Sequence, residues 1–292
     1  EDYVITYKTR FDPSTHSKGD MEYINEASFS YEGLGTTIEK SASYDISDIA
    51  NNNGSKFGIL DRNNKKITWS INLNYLSKNI GDFEVTDDIE ENQILDKNSI
   101  KVYEYSVDKE GNITVGNLAG SDRYEITELT DHNFKIKFNS ANSPYRIVFD
   151  TKIVGKTQPE YVNEAVVGDT TYRGKVSYED SEKFVEKEGK QSGNDISWKI
   201  TVNKSLSEID KAALIDTLSY GHEVIDDSFK VYKQPGNNLV SPDEYKVMVN
   251  KPDLTTGTQT FKFEFLNKID SVYTIEYKTR ITTEEDKASI TN

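Results

Sequence analysis

One stretch of strand pattern runs twice through this chain at full length, and that restricts the chain to a tandem of similar domains. Ile67-Thr68-Trp69-Ser70-Ile71 aligns with Ile196-Ser197-Trp198-Lys199-Ile200. Val85-Thr86-Asp87-Asp88-Ile89 aligns with Leu214-Ile215-Asp216-Thr217-Leu218, and Ser99-Ile100-Lys101-Val102-Tyr103 with Ser228-Phe229-Lys230-Val231-Tyr232. The Trp, Asp and Tyr pairs are each 129 positions apart, so the two copies differ little in length over this span.

A third, partial copy opens the chain. Tyr3-Val4-Ile5-Thr6-Tyr7-Lys8-Thr9-Arg10 recurs as Tyr145–Lys152 and as Tyr273–Arg280. An asparagine follows each: Tyr23-Ile24-Asn25-Glu26-Ala27, Tyr161-Val162-Asn163-Glu164-Ala165, and Ile290-Thr291-Asn292. The expected organisation is residues 1–32 as closing strands of an upstream repeat, a first full repeat over 33–170, and a second over 171–292, cut at its last strand. The chain thus reads as an excerpt of a longer array.

Within each repeat the dominant period is two. Ile67, Trp69, Ile71 and Leu73 share one face of a strand and Thr68, Ser70, Asn72 and Asn74 the other. Phe134-Lys135-Ile136-Lys137-Phe138 and Phe261-Lys262-Phe263-Glu264-Phe265 alternate in the same way. Turn-rich segments such as Lys109–Asn112 and Gln234–Asn238 separate the strands. Only Ser205–Ala213 has room for a short helical turn or two. The fold class is all-β, with tandem immunoglobulin-like β-sandwich domains. Trp69 and Trp198, on the apolar phase of their strands, are core residues.

The charge balance is 50 acids against 35 bases, net −15, which disfavours nucleic acid and anionic membrane as partners. Cysteine is absent, so a secreted version of this chain needs a brace other than disulfides. His16, His132 and His222 do not recur in register, and Asp108–Asn112 is a hairpin turn that lacks the alternating ligands of a calcium loop. No cofactor is expected.

Three residue types do recur at corresponding places: Lys40, Asp87 and Asn163 in the first repeat, and Lys187, Asp216 and Asn292 in the second. First, middle and last strands of a sandwich can be neighbours, so these residues could meet. Lys40 stands 29 positions before Trp69 and Lys187 stands 11 before Trp198, which requires an insertion in the first copy. Lys183 and Lys190 compete with Lys187.

The Trp strand, the Val-Thr-Asp or Leu-Ile-Asp strand, the Tyr-x-Ile-x-Tyr-Lys-Thr-Arg strand and the closing Tyr-Val-Asn together resemble the collagen-binding domains of Gram-positive surface adhesins. That resemblance implies sandwiches closed by a self-formed isopeptide bond, from Lys40 to Asn163 assisted by Asp87, and from Lys187 to Asn292 assisted by Asp216. Such a bond needs a lysine deprived of water, so that its amine is neutral, and an acid kept protonated to polarise the asparagine carbonyl. The chain would be no turnover enzyme, since the reaction happens once per domain. A link from 40 to 163 closes 124 residues (163 − 40 + 1) and, treated as a disulfide of that span, stabilises by about 5 kcal/mol. The implied setting is the wall-anchored extracellular surface of a Gram-positive bacterium. The implied partners are collagen or another matrix protein and neighbouring repeats of the chain, with a stalk role or direct binding both open and no membrane contact in this segment. The alternative is a pilin or fibre subunit assembled by strand complementation between the terminal fragments.

Overall fold

The computed structural model describes residues 3–9, 22–33 and 35–282. The chain divides into two compact units, one formed by residues 1–152 and 162–176, the other by 153–161 and 177–292.

A hairpin of β1 (Glu22–Phe29) and β2 (Ile38–Asp45) forms a separate two-stranded sheet, exposed along its length. After a four-residue helix α1 (Asp48–Asn51), the first sandwich comprises β3 (Gly54–Asp61), β4 (Lys66–Leu73), β5 (Gly81–Asp88), β6 (Gln93–Leu95), β7 (Lys101–Val107), β8 (Ile113–Leu118), β9 (Tyr124–Leu129), β10 (Asn133–Ala141), β11 (Tyr145–Ile153), β12 (Glu160–Val167) and β13 (Thr170–Ser177). One sheet has the order β3-β4-β11-β7-β8, with β6 also on β11, and the other β13-β12-β5-β10-β9.

The second unit repeats this plan with β14 (Val185–Ser192), β15 (Asp195–Val202), β16 (Ala213–Leu218), β17 (His222–Val224), β18 (Lys230–Lys233), β19 (Asn238–Leu239), β20 (Tyr245–Val249), β21 (Gln259–Phe265) and β22 (Tyr273–Ile281). Its sheets are β14-β15-β22-β18-β19, with β17 on β22, and β16-β21-β20. The fold is therefore all-β, in tandem immunoglobulin-like sandwiches.

The repeat register holds in space. Trp69 pairs with Phe149 and Trp198 with Tyr277; Val102 pairs with Ile147 and Val231 with Ile275. Alternation brings apolar side chains from both sheets into one layer. Phe134 meets Phe149 edge-on at 4.9 Å, and its counterpart Phe261 meets Tyr277 edge-on at 5.0 Å. Such pairs add about 1 kcal/mol to what their burial alone contributes. The polar phase of β4 is not solvated as its sequence implies: Ser70 and Asn72 are buried, Asn72 accepting from Arg146 Nε at 2.7 Å and donating to Ser55.

Among the described residues β2 pairs with β1 alone, and β13, which runs past residue 170, lies beside β12 in its sheet. One expectation changes here. Ser205–Ala213 forms turns instead of helix. Asn203 sits at φ 60°, receives Ser207 N–H on Oδ1 and donates from Nδ2 to Ser207 O, while Leu206 takes φ 61°. Those bonds fix a loop that excludes helical φ values. Asn74 does the same with Lys78 in the first repeat.

Candidate functional site: a buried lysine and acid in each sandwich

Inward-facing positions of β3 and β5 place Lys56 and Asp87 between the sheets of the first domain. Their side chains are 0% exposed and joined by a short ion pair from Nζ to Oδ2. The ammonium lies 5.4 Å from the Phe149 ring centre and 5.8 Å from that of Trp69. Asp87 pairs with Ala165 of β12 on one side and Phe134 of β10 on the other. Asn163, two residues before Ala165, therefore points into the same interior and is buried. Neither its amide nitrogen nor its oxygen, nor Oδ1 of Asp87, has a partner at full hydrogen-bond geometry, yet the Asn163 amide is close enough to Asp87 to act against the burial that raises the acid's pKa.

Burial governs the protonation of this pair. Removal from water lowers the Lys56 pKa, with the nearby Asp87 opposing. The same removal raises the Asp87 pKa, against the pull of Lys56. Both shifts favour the neutral amine and the neutral acid.

In the second domain, Lys187 of β14 donates to Oδ1 and Oδ2 of Asp216 at 2.8 and 2.6 Å. It lies over Trp198 at 4.9 Å and near Tyr277 at 5.6 Å. Burial lowers its pKa too, though its side chain keeps 20% exposure. The Tyr277 hydroxyl donates to Asp216 Oδ2 at 2.9 Å.

Both lysines owe their setting to a glycine two positions on. Gly58 faces Trp69 and Gly189 faces Trp198 across the ladder. A Cβ would come within 2.7 Å of the first indole and 2.4 Å of the second. Each bare backbone lets a tryptophan lie flat beside the lysine, shielding it from water.

The structure thus brings Asp87 and Asn163 together, and Asp216 with Lys187. It does not bring Lys40 there: Lys40 lies exposed on β2 opposite Ala27, and Lys56 occupies the place expected of it. Sequence reasoning missed Lys56, but the signal was present. Lys56-Phe57-Gly58 matches Lys187-Glu188-Gly189, and the turn of residues 62–65 is two residues longer than that of 193–194, which accounts for a spacing to tryptophan of 13 instead of 11. Lys183 pairs with Asp180, and Lys190 lies exposed opposite Ser197, so neither replaces Lys187. Asn292 lies outside the described residues, as does His16.

The remaining candidates are structural. Asp108 accepts from Glu110 N and Asn112 N, which makes a hairpin turn, and no cluster able to hold a metal exists among the described residues. His222 is buried where the first repeat has Gln93. Both side chains bond to the threonine that also receives the tryptophan Nε1, Thr279 or Thr151.

Two-sheet sandwiches in tandem, each enclosing a lysine and an acid beside a tryptophan, define the class of protein. Within it, a family model described as the collagen binding domain matches residues 51–177 and again 182–292. The chain belongs to the collagen binding domain family and carries the domain twice. Among solved structures it is similar to the collagen-binding subdomain of the Enterococcus faecalis surface protein ACE, at 17% identity over 43% of this chain and 96% of that one, TM-score 0.36. The collagen-binding domain of a Staphylococcus aureus adhesin matches at 20% identity, 43% and 97% coverage, TM-score 0.34. That of the Erysipelothrix rhusiopathiae surface protein RspB matches at 17%, 56% and 61%, TM-score 0.35. No curated protein sequence matches the chain. No helix among the described residues is long and apolar enough to cross a membrane.

Proposed function

We propose that the chain is part of a Gram-positive surface adhesin, wall-anchored outside the cell, whose repeated sandwiches engage collagen or a similar matrix protein and are each closed by a lysine–asparagine amide bond. The observation that carries the bond is the wholly buried Lys56–Asp87 pair beside an Asn163 amide with no partner at full hydrogen-bond geometry. Burying such groups is costly unless they are put to use.

In the first domain the neutral Nζ of Lys56 attacks Cγ of Asn163 while protonated Asp87 polarises Oδ1. A C–N bond forms, the Asn Cγ–Nδ2 bond breaks, and an amine proton passes through the carboxyl group to the departing nitrogen, which leaves as ammonia. Amine plus primary amide gives secondary amide plus ammonia, with no other reactant. The link closes 108 residues (163 − 56 + 1) and, treated as a disulfide of that span, stabilises by about 5 kcal/mol. The second domain carries the same chemistry through Lys187, Asp216 and Asn292.

Support for the ligand comes from the family and from one surface. The outer face of β3, β4 and β11 presents exposed Phe57 and Ile59, with Arg146 stacked 5.6 Å over the Phe57 ring. Aromatic and arginine anchors of this kind dominate protein recognition.

Intact mass tests the bond: each link removes one ammonia, about 17 Da. Asp87→Ala is expected to abolish the first deficit and leave the second; a wild-type mass equal to that of the uncrosslinked sequence ends the proposal. Immobilised collagen tests the ligand, with retention expected for the wild type and reduced for Phe57→Ala.

A further inference from the structure

The two lysine–acid sites differ by one hydroxyl, and that hydroxyl adds a bond to an acid whose two oxygens are already held by the lysine. Phe149 and Tyr277 hold the same register position, each opposite its tryptophan. In the first domain Asp87 gives Oδ2 to Lys56 and leaves Oδ1 without a partner at full hydrogen-bond geometry, in an interior shared with the Asn163 amide. In the second, Lys187 takes both oxygens of Asp216, and Tyr277 donates a further bond to Oδ2 at 2.9 Å. An acid that must carry a proton and turn it toward an asparagine carbonyl has an oxygen available in the first site. In the second it must first break a bond.

We infer that Tyr277 is a positioning residue that brakes amide formation in the second domain, by holding Asp216 in the geometry of an ion pair with Lys187. The inference rests on the amide-forming reading above. The first domain, with phenylalanine at this place, closes as soon as its last strand is seated. The second keeps its lysine and acid paired and closes more slowly. A single aromatic hydroxyl thus sets the order in which neighbouring domains become irreversible.

The test is reciprocal exchange in the full chain. Wild type, Phe149→Tyr and Tyr277→Phe are recovered unfolded and uncrosslinked, then refolded together. Loss of ammonia is followed by intact mass, and each bond is assigned from crosslinked peptides. Phe149→Tyr is expected to slow the Lys56–Asn163 bond on the order of tenfold, the effect of one added hydrogen bond to the acid. Tyr277→Phe is expected to speed the second bond by a similar factor. A brake acting through the acid also moves the fastest pH for ammonia loss in Phe149→Tyr toward acid, whereas general disturbance of packing slows the reaction equally at every pH. An unchanged rate in Phe149→Tyr, or a slower second bond in Tyr277→Phe, overturns the inference. If the second domain shows no mass loss in either form, the Phe149→Tyr arm decides. Absence of any bond in the wild-type first domain instead refutes the amide-forming reading itself, so the two failures are distinguishable.

Discussion

The first sandwich hides its lysine and acid completely, whereas the second leaves Lys187 20% and Asp216 6% exposed. The strands that carry the two pairs are in the same register, so the difference does not arise there. In the first domain the hairpin of β12 and β13 seats Asn163 inside, and Gly174 of β13 approaches Trp69 and the Lys56 side chain so closely that a Cβ would lie 2.9 and 3.2 Å from them. Desolvation is thus supplied by strands distant in sequence from the lysine. The proposed amide formation, which depends on desolvation, would thereby be tied to completion of the fold.

The sharpest way to break this comparison is to delete each lysine. Lys56→Ala removes the proposed link and leaves Asp87 buried without its partner. The first domain is expected to lose about 5 kcal/mol from the link and a further few from the stranded acid. Lys187→Ala is expected to cost the second domain less, because Asp216 keeps Tyr277 and some contact with water. Calorimetry on the full chain reads both: each transition falls by the loss of its proposed link, and the first falls further by the cost of the stranded acid. Equal shifts would show that burial does not separate the sites.

A smaller contrast comes at alkaline pH. Tyr172 packs between the hairpin and the rest of the first domain, donating to Asn52 O at 2.9 Å, and burial raises its pKa to about 12. Burial also raises that of Tyr105 strongly. A raised folded-state pKa means stability that is whole below the unfolded value of 10.0 and is lost as pH climbs through 10 toward 12. For Tyr172 the full loss is about 3 kcal/mol. The first domain is therefore expected to melt on alkaline titration, and Tyr172→Phe to flatten that slope. An unaltered slope in the variant would place the lability elsewhere.

How much of this was legible in the sequence depends on distance along the chain. Strand period and the 129-residue register were legible because they are local and repeated: Ile67, Trp69, Ile71 and Leu73 are all buried, and the Trp, Asp and Tyr strands pair as their alignment implies. The same register aligned Asp87 with Asp216. Lys56 was not legible, because a two-residue difference in one turn shifted it out of register, and Lys40 took its place by residue type alone. The buried state of Ser70 and Asn72 was also hidden, since Arg146, 74 positions after Asn72, caps it. The brake at Tyr277 needed atoms: in sequence, Phe149 and Tyr277 are ordinary core aromatics.

The finest discrimination between the domains lies at the glycines that let each indole settle. Gly58→Ala drives a methyl group to 2.5 Å from Val176 Cγ2 and 2.7 Å from Trp69 Cζ3. Trp69 is 0% exposed and closed in by β13, so nothing nearby can yield without displacing the hairpin. Gly189→Ala meets Trp198 at 2.4 Å, nominally closer, yet Trp198 is only partly buried and can tilt outward. Overpacking of a closed core costs about 1–3 kcal/mol. The expected outcome is a cost near the top of that range for Gly58→Ala and near the bottom for Gly189→Ala, a difference of about 1–2 kcal/mol read from the two calorimetric transitions. Tryptophan emission supplies the mechanism: a red shift in Gly189→Ala marks an indole moved toward water, while Gly58→Ala, with no outlet, keeps a buried emission and unfolds at a lower temperature. The reverse order of costs would mean that contact distance alone decides, and that the closing hairpin contributes nothing to the rigidity of the first site.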